Sequence, residues 1–153
     1  MANTYSQMNV HVVFSVRRRE NVILTSWRDE LHKYIAGILN GSGQFSLAVN
    51  GYKDHIHIFF ELSPTSSVSQ VVQNVKAKSS KWINANAFVK GHFEWQSGYG
   101  AFTYSRDQRH NVINYIKTQE EHHKARSFKE EYLDLLNKND VKYDEAYLFD
   151  FYE

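Results

Sequence analysis

The chain of 153 residues contains no cysteine and only one proline. Without cysteine, disulfide bonds and thiolate metal sites are excluded. No apolar run approaches the ~20 residues needed to cross a bilayer, and the amino terminus lacks the charged and apolar regions of a signal peptide. With 42% hydrophobic residues the composition also argues against disorder. We therefore expect a single cytoplasmic domain with a buried core.

The charge is small overall but unevenly distributed. The net charge of +1 does not by itself indicate a polyanionic partner. Residues 127–153 carry eight acidic and three basic side chains, a local charge of −5, which leaves +6 on residues 1–126. A basic body with an acidic C-terminal extension is compatible with binding a polyanion, although many unrelated proteins share this asymmetry.

Residues 54–62 have the alternating pattern of a β-strand that carries two histidines. Side chains alternate between the two faces of a strand, so His55 and His57 lie on one face with Phe59 and Glu61. The opposite face is apolar and predicts contact with a core: it consists of Ile56, Ile58, Phe60 and Leu62. Two imidazoles one pleat apart can share a metal ion, but a bare His-x-His pair is also compatible with simple packing or surface histidines.

A second pattern lies about sixty residues later, in a segment with helical periodicity. Tyr115 and Gln119 are four residues apart and share a helix face. A tyrosine hydroxyl can act as a covalent nucleophile when a cation or base activates it. An amide oxygen one turn away can complete the coordination of that cation. Taken alone, Tyr115 fits a packing role better than a catalytic one, because the chain has ten tyrosines.

The order of predicted elements indicates the fold class. We expect a strand from Met8 to Val16, a helix starting at Ser26, a strand over 44–50, the histidine strand, a helix opened by Ser67, a bent strand from Phe93 to Tyr104, a tyrosine helix over about 107–123 and a last helix from Ser127 to about Asn137. The order β-α-β-β-α-β predicts an α+β, ferredoxin-like antiparallel sheet with helices on one face. The C-terminal helices, one of which carries the tyrosine, then follow this unit.

A His-hydrophobic-His strand followed by a helix with Tyr-Ile-x-x-Gln resembles the HUH-type single-tyrosine transposases of the insertion-sequence 200/605 family. The resemblance covers the chain length, the order of the elements and the spacing of both motifs. It implies one transposase domain over residues 1–153, with the acidic extension 127–153 included.

The resemblance implies a chemistry for each motif residue. The substrate would be single-stranded DNA with a hairpin near each end of a mobile element. His55, His57 and Gln119 would bind a divalent metal, Mg²⁺ or Mn²⁺. Tyr115 would attack the DNA and form a 5′-phosphotyrosine, with the histidines as its catalytic partners. The family works as a homodimer, which implies composite active sites in which the tyrosine helix lies against the partner's histidines. The protein would be cytoplasmic and associated with the nucleoid when bound to DNA.

Basic side chains are the candidates for nucleic-acid binding. They are the triplet Arg17, Arg18 and Arg19, then Lys76, Lys78 and Lys81, and finally Arg106 and Arg109. The lysines fit a solvated helix face equally well. His122 and His123 are expected to contact phosphate or solvent, since an unbroken helix would place them about 10 Å beyond Tyr115. His11 is expected to be structural, although it could neighbour the histidine pair across the sheet.

Three other functions stay open. A domesticated relative could process repeated palindromes in a host chromosome with the same chemistry. A non-catalytic, hairpin-binding ferredoxin-like module would need neither a metal nor Tyr115. A small metal-dependent hydrolase would use water on the two-histidine site and would also tolerate the loss of Tyr115.

Overall fold

The computed structural model describes residues 3–19 and 21–149; the side chain of Arg19 and residues 150–153 of the acidic extension lie outside this description. The strands are β1 (Asn9–Ser15), β2 (Phe45–Gly51), β3 (His55–Glu61) and β4 (Gly100–Tyr104), and the helices are α1 (Thr25–Gly41), α2 (Val68–Ala85), α3 (Arg109–Lys117), α4 (Gln119–Ala125) and α5 (Phe128–Lys138).

The four strands form one antiparallel sheet in the order β2–β3–β1–β4. The first six elements follow one another as β1-α1-β2-β3-α2-β4. This arrangement confirms the predicted ferredoxin-like fold. In the register of the two central strands, Ser15 of β1 is opposite His55 and Val13 is opposite His57. The histidine strand is therefore central in the sheet, with a hydrogen-bonded neighbour on each side.

The apolar face of the sheet and helices α1 and α2 enclose the main core. Phe14, Ile56, Ile58 and Phe60 are fully buried there, against the apolar stripes of the two helices. Helix α2 begins where the sequence predicts, because the Ser67 side chain accepts a hydrogen bond from the backbone of Gln70.

Helix α3 covers the opposite face of the sheet. Val112 and Ile116 pack on Ala48 of β2 and Phe59 of β3 in a second, smaller apolar cluster. Helix α5 begins at a Ser127 cap, as expected. The face of the sheet that carries the histidines is thus enclosed by the C-terminal helices. None of the helices in the described ranges is long and apolar enough to cross a membrane.

The strand predicted from Phe93 to Tyr104 is shorter than expected, since β4 begins only at Gly100. Trp95 forms one isolated bridge with Val16. Beyond it the chain turns at Gly98, whose φ of +88° suits glycine. The Lys76 ammonium donates to the carbonyls of Gln96 and Gly98, at 2.8 and 2.7 Å. This contact with α2 holds the segment away from the sheet ladder.

Candidate active site

Two histidines on β3 point away from the main core, and both are fully buried. The Nδ1 atom of His55 lies 2.7 Å from Oδ1 of Asp54. The Nδ1 atom of His57 lies 2.8 Å from Nε2 of His11, on the neighbouring strand β1. Because their Nδ1 atoms are occupied on the strand side, His55 and His57 both present Nε2 to the space beneath the C-terminal helices. His11 therefore neighbours the pair across the sheet, as the sequence suggested.

The side chain that meets these nitrogens is Glu131 of α5, which is wholly buried. Its Oε1 atom lies 3.3 Å from Nε2 of His55, 3.1 Å from Nε2 of His57 and 3.1 Å from Nε2 of His123. A buried carboxylate is costly unless several donors or cations satisfy it. Three imidazole nitrogens on one oxygen provide that compensation and fix the position of the carboxylate.

The other carboxylate oxygen of Glu131 binds the two residues of the Tyr-x-x-x-Gln pattern. The hydroxyl of Tyr115 donates a hydrogen bond to Oε2, and Nε2 of Gln119 donates to the same atom at 3.1 Å. The amide oxygen of Gln119 lies 3.3 Å from Nε2 of His55. One carboxylate thus joins the histidine strand to the tyrosine helix within a single chain.

The protonation of the site follows from this geometry. Burial would lower the pKa of His55, but hydrogen bonds to Asp54 and Glu131 raise it to about 9. Burial lowers the pKa of His57, although Glu131 opposes the effect. Burial would raise the pKa of Glu131, but the surrounding imidazoles hold it well below its usual range. Burial and the charge of Glu131 both raise the pKa of the Tyr115 phenol. The phenol therefore stays un-ionised while Glu131 is its only close charged acceptor among the described residues.

The donor set fits a divalent cation. One ligand atom each from His55, His57 and Glu131 lie within 4.8 Å of one another, and all three residues are buried. Two imidazoles and a carboxylate suit Mn²⁺ and other transition metals, and the amide oxygen of Gln119 would add an oxygen ligand that Mg²⁺ also accepts. A cation held between the imidazoles and Glu131 would replace the proton of His55 as the compensating charge.

The sequence comparison agrees with this arrangement. Residues 4–119 match the family described as Transposase IS200 like. The chain belongs to this transposase family. Its members cut and join DNA, so the predicted family and the general class of activity are confirmed. No curated protein matches the sequence.

Two solved structures resemble this transposase. One is a candidate transposase from Deinococcus radiodurans, with 20% sequence identity, a TM-score of 0.62 and coverage of 76% of this chain and 94% of that one. The other is a REP-associated tyrosine transposase bound to a REP hairpin, with 17% identity, a TM-score of 0.58 and coverage of 79% of this chain and 72% of that one. At these identities the likeness concerns the fold.

The expectation for His123 was wrong. The predicted helix over 107–123 is broken at Thr118, whose φ of −104° and ψ of 25° lie between α3 and α4. The Thr118 hydroxyl donates to the carbonyls of Asn114 and Tyr115 in the preceding turn, at 3.0 and 3.2 Å. The change of direction brings His123 back to the transposase site, where its side chain is 3% exposed and contacts Glu131.

Glu131 itself was missed by the sequence reasoning, which treated residues 127–153 as an acidic extension. A signal was present in the helical pattern. Phe128, Tyr132 and Leu135 form the buried stripe of α5, and Glu131 lies at the helical spacing that places it on the same stripe. A carboxylate on the buried face of an amphipathic helix predicts a partner or a function. The sequence match to the family ends at residue 119, before this helix.

The basic candidates are not gathered around the site. Arg17 pairs with Glu94, and Arg109 pairs with Glu61 at 3.1 Å, at the end of β3 opposite His55. Lys76 is committed to backbone carbonyls, and burial lowers its pKa to about 8. The exposed candidates are Arg18, Lys78, Lys81 and Arg106. Their role in DNA binding by the transposase stays a prediction.

Two cavities lie beside the site. One, of about 210 Å³, is bordered by Tyr115, His11, Tyr104, Arg126 and Lys138. The other, of about 170 Å³, is bordered by Tyr52, Asp54, His123, Arg126 and Phe128. The first cavity therefore borders the Tyr115 phenol, and the second borders His123, which contacts Glu131.

Proposed function

We propose that this transposase cleaves and rejoins single-stranded DNA at the hairpin-marked ends of an insertion sequence, through a 5′-phosphotyrosine on Tyr115. The observation that carries the proposal is the shared carboxylate: Glu131 binds the Tyr115 hydroxyl with one oxygen and both strand histidines with the other. The structurally similar transposase bound to a REP hairpin supports hairpin DNA as the substrate class.

The metal ligands would be His55, His57 and Oε1 of Glu131, with the amide oxygen of Gln119 completing the protein set. Mg²⁺ and Mn²⁺ are the proposed ions. When bound, the ion supplies Lewis-acid polarisation of the scissile phosphate. His11 and Asp54 keep the Nε2 atoms of His57 and His55 directed at the ion by holding their Nδ1 atoms.

The protein residues account for the remaining chemistry. Tyr115 attacks phosphorus, the bond from phosphorus to the 3′ oxygen breaks, and the leaving oxygen takes a proton to become a free 3′-hydroxyl. The hydrogen bond to Oε2 of Glu131 orients the phenol and gives its proton an acceptor when attack begins. The phosphotyrosine conserves the energy of the phosphodiester, so a later 3′-hydroxyl can reverse the reaction and join new ends without ATP.

The active site is proposed to belong to one domain that includes α5. The family match ends at residue 119, yet Glu131 contributes its carboxylate to the centre of the site. In the cell we place this domain in the cytoplasm, on the nucleoid when DNA is bound.

Assembly as a homodimer with composite sites stays part of the proposal, although the single chain already holds Tyr115 beside its own histidines. Mixing a His57→Ala chain with a Tyr115→Phe chain tests it. Exchange of tyrosine helices between subunits predicts restored cleavage. If the mixture stays inactive while each variant still binds DNA, the site works within one chain.

The direct test of function looks for the covalent intermediate. The protein is incubated with a labelled single-stranded hairpin oligonucleotide, with and without Mg²⁺ or Mn²⁺, and run on a denaturing protein gel beside Tyr115→Phe. We expect a metal-dependent adduct that the variant cannot form. Cleavage without an adduct would favour the hydrolase, and binding without cleavage would favour the non-catalytic module.

A second candidate function has one observation in its favour. Because a REP-associated transposase is among the similar structures, a domesticated enzyme that processes repeated chromosomal palindromes would use the same site. The position of the cleaved hairpins distinguishes the two: palindromes only at the two ends of the element carrying the gene support transposition, and palindromes scattered through the chromosome support the domesticated role.

A further inference from the structure

Arg126 lies in the short connection between α4 and α5 and points back to the nucleophile. Its backbone is extended, with φ of −151° and ψ of 157°, and its N–H donates to the carbonyl of His122 at 3.1 Å. Its side chain borders the same cavity of about 210 Å³ as the phenol of Tyr115. It also reaches Oδ2 of Asp134 on α5, at 3.4 Å from Nη1.

The side chain of Arg126 is more accessible to solvent than His55, His57, Gln119 and Glu131, which are fully buried. Its side chain is 31% exposed, and it borders both cavities beside the site. In the larger cavity it shares the lining with Tyr115 and His11. Lys138 borders the same cavity and pairs with Asp134 at 3.0 Å. The entrance to the phenol is therefore cationic.

An ordinary surface ion pair does not explain this placement. The contact between Arg126 and Asp134 is long and one-third exposed at both ends, and pairs of this kind contribute little to stability. The planar guanidinium has five donors, and its pair with one oxygen of Asp134 leaves donors available. Nonbridging phosphate oxygens match such a fork.

We propose that Arg126 is a catalytic residue whose guanidinium binds a nonbridging oxygen of the scissile phosphate while Tyr115 attacks phosphorus. This inference rests on the proposed function. Asp134 is a positioning residue that holds the guanidinium beside the phenol. During the step the oxygen–phosphorus bond to Tyr115 forms, the bond to the 3′ oxygen breaks, and Arg126 keeps its protons throughout. Its role is to balance the negative charge that gathers on the phosphate oxygens, which arginine does in phosphoryl transfer.

Single-turnover cleavage of two matched hairpin oligonucleotides tests the inference. One carries the normal phosphate at the cleavage position, and the other carries a methylphosphonate, in which a neutral methyl group replaces one nonbridging oxygen. The full chain, Arg126→Ala and Arg126→Lys are compared in the presence of Mn²⁺. Lys124→Ala is the matched control, since it removes an exposed cation two residues away on α4.

We expect Arg126→Ala to slow cleavage of the phosphate substrate at saturating DNA by about 10²–10³-fold, the usual effect of removing one preorganised donor. On the methylphosphonate its deficit should shrink to within about threefold, because there is less charge to balance. Arg126→Lys should recover at least about tenfold over alanine by restoring the charge without the fork. Lys124→Ala should stay within about threefold of the unaltered chain.

Three results would overturn the inference. The first is that Arg126→Ala cleaves the phosphate substrate as fast as the unaltered chain does. An equal deficit on both substrates is another, because it indicates a structural role. The third applies if neither the unaltered chain nor Arg126→Ala cleaves the methylphosphonate. In that case the proposal is wrong if Arg126→Lys cleaves the phosphate substrate no faster than Arg126→Ala. By contrast, an unaltered chain that forms no adduct at Tyr115 on the phosphate substrate refutes the proposed function itself.

Discussion

Replacing Glu131 by alanine should weaken the metal-free protein more than any other single loss of charge on α5. The substitution removes the acceptor for His57, His123 and Gln119, each 3.1 Å from the carboxylate. Breaking a buried ion pair by removing one partner costs about 3–5 kcal/mol. A domain with a total stability of about 5–15 kcal/mol then keeps its fold with a reduced margin. We expect a loss of about 4 kcal/mol from the free energy of unfolding.

The assay is equilibrium urea unfolding in the presence of a chelator, followed by circular dichroism. With a slope near 2 kcal/mol per molar urea, the Glu131→Ala midpoint should fall by about 2 M. The matched control is Glu130→Ala, an exposed acid in the first turn of the same helix, which should cost no more than about 1 kcal/mol. If the free energies of unfolding of the two variants differ by less than about 1 kcal/mol, the contacts of Glu131 do not stabilise the fold as argued.

The conservative variant Glu131→Gln separates ligation from folding. The amide keeps the volume and one acceptor oxygen, so its metal-free stability should drop by only about 1–3 kcal/mol. Added Mn²⁺ should raise the melting temperature of the unaltered chain and raise that of Glu131→Gln much less. Equal increases in both proteins would exclude Glu131 as a metal ligand.

Three further predictions concern residues outside the site. Burial lowers the pKa of His32 to about 4. As the pH falls, this histidine is therefore protonated in the unfolded chain before it is protonated in the folded chain, and the free energy of unfolding falls by about 2 kcal/mol between pH 7 and pH 4.5. His32→Gln should remove that contribution, and an unchanged pH dependence in urea unfolding contradicts the assignment. A Cβ at Gly51 would lie 2.2 Å from a backbone carbonyl of β3, whereas one at Gly37 meets nothing within 4 Å. Gly51→Ala should therefore lower the melting temperature, and Gly37→Ala should raise it slightly, with a gain in stability of up to about 1 kcal/mol. Similar melting temperatures for both variants would refute the steric argument. Lys76→Met should lower stability but leave unchanged the slope of log hairpin affinity against log salt concentration, whereas Arg18→Gln should reduce that slope by about one if Arg18 contacts phosphate. Filter binding from 50 to 200 mM salt measures both slopes, and a reduced slope for Lys76→Met would show that Lys76 contacts DNA.

The parts that were predictable from the sequence depend on local pattern. Alternation along β3 places His55 and His57 together on one face. Tyr115 and Gln119 both bind Oε2 of Glu131, even though a helix boundary falls between them. The serine caps of α2 and α5 mark the helix starts correctly. Each of these signals is contained within a few residues, so no tertiary information is needed to interpret it.

The parts that were missed depend on contacts between distant segments. Nothing in the local pattern shows that the helix breaks at Thr118, since no proline or glycine stands there. Without the break, His123 lies too far from Tyr115. The acidic count of residues 127–153 also conceals Glu131, whose carboxylate turns inward. Glu131 acquires its partners only when α5 packs on the sheet, where the ring of Phe128 stacks on His55 with centroids 3.9 Å apart.

The late position of α5 in the chain has a consequence for biosynthesis. The ribosome synthesises the chain from its amino terminus, and a domain folds as a unit. The sheet with its two histidines is complete in sequence by Tyr104, well before the tyrosine and the carboxylate are translated. Until then Ala48 and Phe59 lack the cover that Val112 and Ile116 provide. A chain that ends at this stage leaves Ala48 and Phe59 uncovered, and its site still lacks Tyr115, Gln119 and Glu131.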